Sequence, residues 1–369
     1  MSSNLKNNSR IPVFLMRHGH SCANFYLLKH PFIKSVSRFR HKNTTNPTIS
    51  KMYQWINGNN NRDSYLNELG ILQAIVAGYL FKETLPTIFY TSAMFRAIET
   101  SYFFLFGYFL KNMKLSMTVN VTPYLKEDGP ATSDMLRTED EIKKFCTKLP
   151  RMLVEILKIL ISFMTKYHFS SIFDEIFQKI ILYTTNNRTI SIPKINFQYS
   201  IIQNSNSNYS DPNNNYIRFI QLLNNRLKNG TELQISNNSN NPSNNTNSNL
   251  NNRLNNTNSY LNNPSIDKIM IVSHNHTISK KFCNSGIFDR SLENTSISKM
   301  FYNKNMRRFN NTRNSNGNKF GKCRIIYSPQ RELLPKEVFG TINNTYIQVE
   351  TICNKMEEFQ KLNNTVRNR

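Results

Sequence analysis

Acidic residues are scarce in this chain: 23 Asp and Glu stand against 47 Lys and Arg over 369 residues, leaving a formal charge of +24 and a pI of about 9.9. The excess favours anionic partners such as phosphate esters, nucleic acid or acidic membrane, and does not choose among them. Apolar residues are also few, at 38% with a mean hydropathy of −0.52, so part of the chain lies outside any packed core. Asparagine accounts for most of the deficit. Of 56 Asn, 24 fall in the 60 positions from Asn204 to Asn263. Such a tract cannot bury enough apolar surface to offset its ordering entropy, and it is expected to be a disordered insertion over about 204–263.

Cysteine is sparse too. The five residues Cys22, Cys146, Cys283, Cys323 and Cys353 are odd in number and widely spread, with no C-x-x-C pair. Neither a disulfide framework nor a thiolate zinc site is suggested, and a reducing, cytoplasmic location is expected. The first apolar run, Ile11 to Met16, is too short for the core of an export signal. Long apolar runs are missing: Met94 to Leu110 is interrupted by Arg96 and Glu99, and Met152 to Met164 by Glu155 and Lys158. Stable membrane insertion is therefore not expected. No aromatic-interleaved basic motif supports nucleic-acid binding.

What is present has an α/β rhythm. Ile11 to Met16 reads as a buried strand ending in Arg17-His18-Gly19, and Lys268 to Ser273 repeats the design and ends in His274. Ile88 to Tyr90 leads into Thr91-Ser92 and a helix carrying Arg96. Strands alternating with helical patterns predict a mainly parallel sheet, built from Ile11 to about Gln198 and from about Asp267 to Val349, whose polar strand ends meet at one carboxyl edge. Glu68 to Phe81 has helical spacing, and Thr138-Glu139-Asp140-Glu141 is a capping box opening a helix before Pro150. Apolar positions at three- and four-residue steps predict an inserted helical hairpin over 151–183. A basic, Asn-rich loop over about 26–61 is a second insertion. A helix near Thr277 to Phe288 and strands near Cys323 to Tyr327 and Thr345 to Val349 complete the expectation of a single domain over 1–369.

The candidate chemistry lies at the strand ends. Arg17-His18-Gly19-His20-Ser21-Cys22-Ala23-Asn24 sets a permanent cation, an imidazole and an amide beyond a buried strand, with Gly19 read as permitting a tight turn. Arg96, one turn into its helix after a Ser/Thr turn, suits an oxyanion. Val272-Ser273-His274-Asn275 brings a second imidazole to a second strand end.

These segments together resemble the histidine phosphatase superfamily, in its phosphoglycerate-mutase-like branch. The first motif of that family, R-H-G-[E/Q]-[S/T]-x-x-N, is matched at Arg17, His18, Gly19, Ser21 and Asn24; S-x-x-x-R-A-x-x-T at Ser92, Arg96, Ala97 and Thr100; and V-S-H at Val272, Ser273 and His274. Leu66 to Ala74, after Asp63, echoes the family's L-T-x-x-G-x-x-Q-A helix with Asn67 in place of Thr, and Asn294-Thr295-Ser296 echoes a later N-x-S segment. The R-H-G-x-R-x-P and His-Asp pattern of the other branch is absent, because Cys22 and Asn275 occupy its positions.

The resemblance implies a three-layer α/β sandwich, with a mostly parallel sheet flanked by helices, and a phosphomonoester hydrolase that uses no metal or cofactor. His18 would be the nucleophile, and Arg17, Arg96 and His274, with Asn24, would hold the phosphoryl oxygens. Glu127, after the strand and loop that follow the Arg96 helix, would be the general acid. Asp128 and His20 stay open as proton donors. The substrate would be a phosphorylated small molecule or a phosphoprotein, and oligomeric state is left open. Mutase activity on phosphoglycerate, or inactive phosphate binding, is the alternative. His20, at the Glu/Gln position, and His276 depart from the pattern. With His18 and His274 they form two H-x-H pairs that could ligate zinc or iron, a reading opposed by the arginines nearby.

Overall fold

A computed structural model of the protein describes residues 10–24, 63–127, 134–166, 171–185, 193–201, 212–228, 268–283, 292–303 and 323–328. The expected loop over 26–61, Asp128, and the strand near Thr345 to Val349 lie outside the described residues.

Seven strands form one sheet. In chain order they are β1 (Arg10–Arg17), β2 (Ile88–Ser92), β3 (Ser116–Thr122), β4 (Lys194–Tyr199), β5 (Ile269–Ser273), β6 (Ile297–Asn303) and β7 (Arg324–Tyr327). Their spatial order is β4-β3-β2-β5-β1-β6-β7. The first five strands in that order run parallel, and β6 and β7 close one edge antiparallel. Strand alternation sorts the core into two layers. Phe14, Met16, Met270 and Val272 face one apolar cluster, while Val13, Leu15, Ile269 and Ile271 face the other. Both faces are covered, as the near-continuous apolar character of β1, β2 and β5 requires. The protein is an α/β sandwich.

The first layer is built by α1 (Glu68–Leu80), α2 (Phe95–Asn112), α3 (Glu139–Lys166) and α4 (Ser171–Thr185). The helix α2 is buried nearly all round because it lies between the sheet and the other helices, which explains its Phe-rich sequence. Gly78 and Gly107 allow α1 and α2 to touch: a Cβ on either would fall 1.8 Å from the Phe104 carbonyl oxygen or 2.0 Å from that of Ile75. Truncating a fully buried ring such as Phe104 to Ala costs about 3–5 kcal/mol, and this ring packs against both Phe81 and Phe89.

The structure corrects four expectations. The helix opened by Thr138 does not stop before Pro150 but runs on to Lys166, so the hairpin is α3 with α4 and begins at Glu139. Its capping box is as expected, with the Thr138 backbone N–H donating to Glu141 Oε2 at 2.8 Å. Within the tract expected to be disordered, Pro212–Lys228 forms a helix, α5. Phe219, Ile220 and Leu223 recur at helical spacing and bury themselves in the second layer, on the opposite sheet face from α1–α4. The described part of the helix expected near Thr277 to Phe288 is π-helical, Thr277–Phe282, closed by Cys283 N–H donating to the Ile278 carbonyl at 3.0 Å, and 284–288 lie outside the described residues. Last, Cys283 and Cys323 form a disulfide across 40 residues, and Cys22 is disulfide-bonded too. The chain path brings the end of that turn beside the start of β7, a proximity invisible in cysteine spacing. No helix among the described residues is long and apolar enough to cross a membrane.

Candidate active site

The parallel pairing of β1 with β5 sets Arg17 opposite Ser273, so His18 and His274 leave neighbouring strands side by side. Their rings lie 5.0 Å apart between centroids, and both are buried. The His18 backbone N–H donates to the Ser273 carbonyl at 2.9 Å, locking the two strand ends together. Thr295 backs them with its N–H on the Arg17 carbonyl at 3.1 Å, from a left-handed backbone with φ of 59° that a β-branched residue adopts only under constraint.

Gly19 has a different reason from the one expected. No glycine among the described residues has a positive φ, but a Cβ on Gly19 would fall 2.6 Å from the Gly70 carbonyl oxygen. A Cβ on Gly70 would likewise fall 2.0 Å from that of His20. The two glycines let the start of α1 press against the histidine loop. There Asn67 is the helix N-cap, accepting the Gly70 N–H at 3.0 Å. Its amide also donates to His20 Nδ1 at 2.6 Å.

His18 Nδ1 meets the Gly19 carbonyl at 2.7 Å. A carbonyl only accepts, so Nδ1 carries the proton and Nε2 the lone pair. Burial, reinforced by the Arg96 and Arg17 charges, holds the His18 pKa well below its usual 6.5, so the ring is neutral. His274 is likewise held low, by burial first and then by Arg96, His18 and Arg17. Its Nε2 lies 3.0 Å from Ser92 Oγ and its Nδ1 3.4 Å from Glu127 Oε2. His20 is pushed down to about 4, by burial above all.

Arg96 is buried at the start of α2, with Nη2 donating to Asp134 Oδ1 at 3.1 Å and Nη1 3.8 Å from Asp63 Oδ1. Asp63 also caps α2 by accepting the Phe95 N–H at 2.8 Å. Arg17 donates to the Leu292 carbonyl, and its buried Nε has no hydrogen-bond partner. Desolvation, with the neighbouring Arg96 charge adding to it and Glu127 opposing it, brings the Arg17 pKa to about 10.

Glu127 is tethered through its own stem. Ser273 Oγ donates to the Leu125 carbonyl at 2.8 Å and Thr277 Oγ1 to the Lys126 carbonyl at 3.0 Å, fixing the segment from the 3₁₀ turn Pro123–Leu125 onward. Residues on either side of His274 thus hold the backbone that leads into Glu127.

Arg17, His18, Arg96, Glu127 and His274 are thereby joined by direct contacts or mutual charge effects. Asn24 is not: its carboxamide oxygen is engaged by Ser21, whose N–H and Oγ donate at 3.1 and 2.9 Å, and by Asn294 at 3.4 Å. It shapes the turn after β1. Asn275, where the family has Gly, accepts the Leu292 N–H at 2.9 Å. Sequence reading missed Asp134, for which no motif gave a signal, and gave Ser92 no role although it stands in the Arg96 motif.

Ligating atoms of His18, Glu127 and His274 all lie within 4.8 Å of one another, close enough to hold a metal ion. His20 and His276 are not part of that group, so the paired H-x-H site is not assembled. The two guanidiniums make the surroundings better suited to an anion than to a cation. A cleft of about 560 Å³ between α3 and β4, lined by Val121, Ile142, Cys146, Pro150, Phe197 and Tyr199, lies apart from all these side chains.

No protein-family model and no curated protein matches the chain. Among solved structures it is similar to the ecdysone phosphate phosphatase from Bombix mori in complex with tungstate, at 13% identity over 79% of this chain and 88% of that one, with a TM-score of 0.36. Phosphoglycerate mutase from Bacillus anthracis matches at 12% identity over 87% and 93%, TM-score 0.36. Phosphoserine phosphatase from Entamoeba histolytica matches at 14% over 79% and 90%, TM-score 0.30. Likeness this distant assigns neither activity nor substrate.

Proposed function

We propose that this chain is a phosphomonoester hydrolase of the histidine phosphatase type, acting through a phosphohistidine at His18. The observation that carries the reading is the tautomer of His18. With Nδ1 committed to Gly19 and the ring neutral, the lone pair of Nε2 is available for in-line attack on phosphorus. Attack forms the Nε2–P bond and breaks the P–O bond to the leaving oxygen, which takes a proton from Glu127. Arg17 and Arg96 offset the charge on the equatorial oxygens, and His274 adds a polar contact from the adjacent strand. Water then attacks the phosphohistidine with Glu127 as base, restoring His18 and releasing phosphate. No step calls on a metal.

The substrate class is a phosphorylated small molecule or phosphoprotein, in keeping with the basic charge of the chain. No specific contact favours mutase activity or inactivity. A cytoplasmic location, expected from cysteine spacing, is opposed by the Cys283–Cys323 bridge, which persists in oxidising surroundings. Purified protein incubated with a panel of phosphomonoesters and chelator, without any phosphoryl acceptor but water, should release inorganic phosphate. Turnover that vanishes with chelator and returns with zinc or iron would favour metal chemistry instead, and no release into water, with transfer appearing only once a hydroxy acid is added as acceptor, would favour a mutase.

A further inference from the structure

Asp134 has no part in the mechanism above, yet it touches the residue on which phosphate recognition depends. Its carboxylate accepts a hydrogen bond from Arg96 Nη2 at 3.1 Å, and the two side chains are only 15% and 5% exposed. The other terminal nitrogen of Arg96 faces Asp63, whose Oδ1 is already used to cap α2. Asp63 is thus built into the helix start, whereas Asp134 comes from the segment between Glu127 and α3. Three residues beyond Asp134, the largely buried Arg137 stacks over the Phe95 ring at 5.6 Å and pairs with Glu141 at 3.7 Å, and Thr138 belongs to the capping box of α3.

Resting on the phosphatase reading of this pocket, we infer that Asp134 is a resident anion, occupying on Arg96 a donor that a phosphoryl oxygen takes when substrate binds. A carboxylate and a phosphoryl oxygen make the same charge-assisted hydrogen bond to a guanidinium, so they compete for it. Nη2 has a second N–H, but an anion on it would stand only about 5 Å from the Asp134 carboxylate, like charges repelling in a poorly hydrated site. Binding therefore releases Asp134, and the residue sets the affinity for phosphate, and with it the KM, rather than the rate of P–O cleavage.

The test uses inorganic phosphate as probe. Its dissociation constant is measured by calorimetry, and its inhibition constant against an aryl phosphate, for the wild-type protein, Asp134→Asn and Asp134→Ser. Both variants are expected to bind phosphate about tenfold more tightly, with KM falling in parallel and kcat nearly unchanged. In the wild-type protein, amide hydrogen exchange over 134–138 should quicken when phosphate is added. Unchanged affinity in both variants, or unchanged exchange, overturns the inference. Weaker binding with a lower kcat overturns it in another way, making Asp134 a positioning residue for Arg96. If neither wild-type protein nor variants bind phosphate, the phosphate reading of the pocket fails, and the inference with it.

Discussion

The carboxyl ends of β1 and β5 present the same side chain to the same space and hold it in different ways. At β1, His18 gives one nitrogen to the adjacent Gly19 carbonyl, a partner that admits only one tautomer. At β5, His274 has Nε2 3.0 Å from Ser92 Oγ, while Nδ1, 3.4 Å from Glu127 Oε2, has no hydrogen-bond partner among the described residues. Both rings are neutral for the same reasons, burial first and the arginine charges after it. Protonation state therefore does not separate them. What separates them is which nitrogen is engaged: the Gly19 carbonyl takes Nδ1 of His18 and leaves the lone pair on Nε2, whereas Ser92 engages Nε2 of His274 and leaves Nδ1 without a hydrogen bond among the described residues.

Substitution of the two histidines probes that difference most strongly. His18→Ala should lower kcat by about 10⁴ or more, since it removes the lone pair proposed to attack phosphorus. His274→Ala should lower it by about 10²–10³, the range for one lost oxyanion donor. Steady-state rates on an aryl phosphate would show whether the order is reversed, in which case the roles are too.

Glu127 sharpens the contrast, because its backbone is held from the β5 end yet it is the proton donor proposed for attack from the β1 end. Glu127→Gln should slow alkyl phosphates by about 10² while leaving aryl phosphates within about threefold, since a phenolate departs without a proton. Equal slowing of both would give Glu127 a binding or structural role. No slowing would pass the proton to His20 or Asp128.

A smaller effect concerns stability. In the unfolded chain His18, His20 and His274 take up protons as pH falls below about 6.5, whereas in the fold the first and last are held well below that value and His20 at about 4. Wherever the unfolded state binds more protons stability falls with pH, so these three cost stability between 6.5 and about 4. Glu99 acts in reverse: burial raises it well above 4.5, so it keeps its proton in the fold and favours acid conditions. Three groups outweigh one, and Tm should drop on acidification from pH 6.5 to 5. His20→Asn should flatten that slope by about one proton. A Tm that rises over the same interval contradicts the burial of these rings.

The smallest effect on turnover should come from reduction of the disulfides. Cys283 ends the turn that follows His274, but the site is fixed upstream by hydrogen bonds from Ser273 and Thr277. Reduction should cost about 2–4 kcal/mol of stability with kcat at 25 °C nearly unchanged, measured by denaturant melts and rates on one sample. A large loss of kcat without unfolding would make the bridge part of the site's architecture.

The contrast also shows what the sequence could reveal. The strand ends were legible because each packs an apolar run, a polar terminus and a motif into a few adjacent residues, and their convergence follows from parallel pairing. Four features resisted. The helix α5 was hidden by asparagines that lower mean hydropathy without breaking the spacing of Phe219, Ile220 and Leu223. The strand β6 alternates Ser298 and Met300 with Lys299 and Phe301, and its place beside β1 depends on pairing rather than composition. Asp134 and the Cys283–Cys323 pair depend on proximity between segments far apart in the chain, which no local pattern encodes.

The most direct measurement is the identity of the phosphorylated atom. Protein mixed with a labelled aryl phosphate and quenched within one turnover should hold label that survives alkali, is lost in acid, maps to His18 and is absent from His18→Ala. Label that survives acid and maps to Ser92, or turnover with no phosphoenzyme at all, would contradict attack by His18.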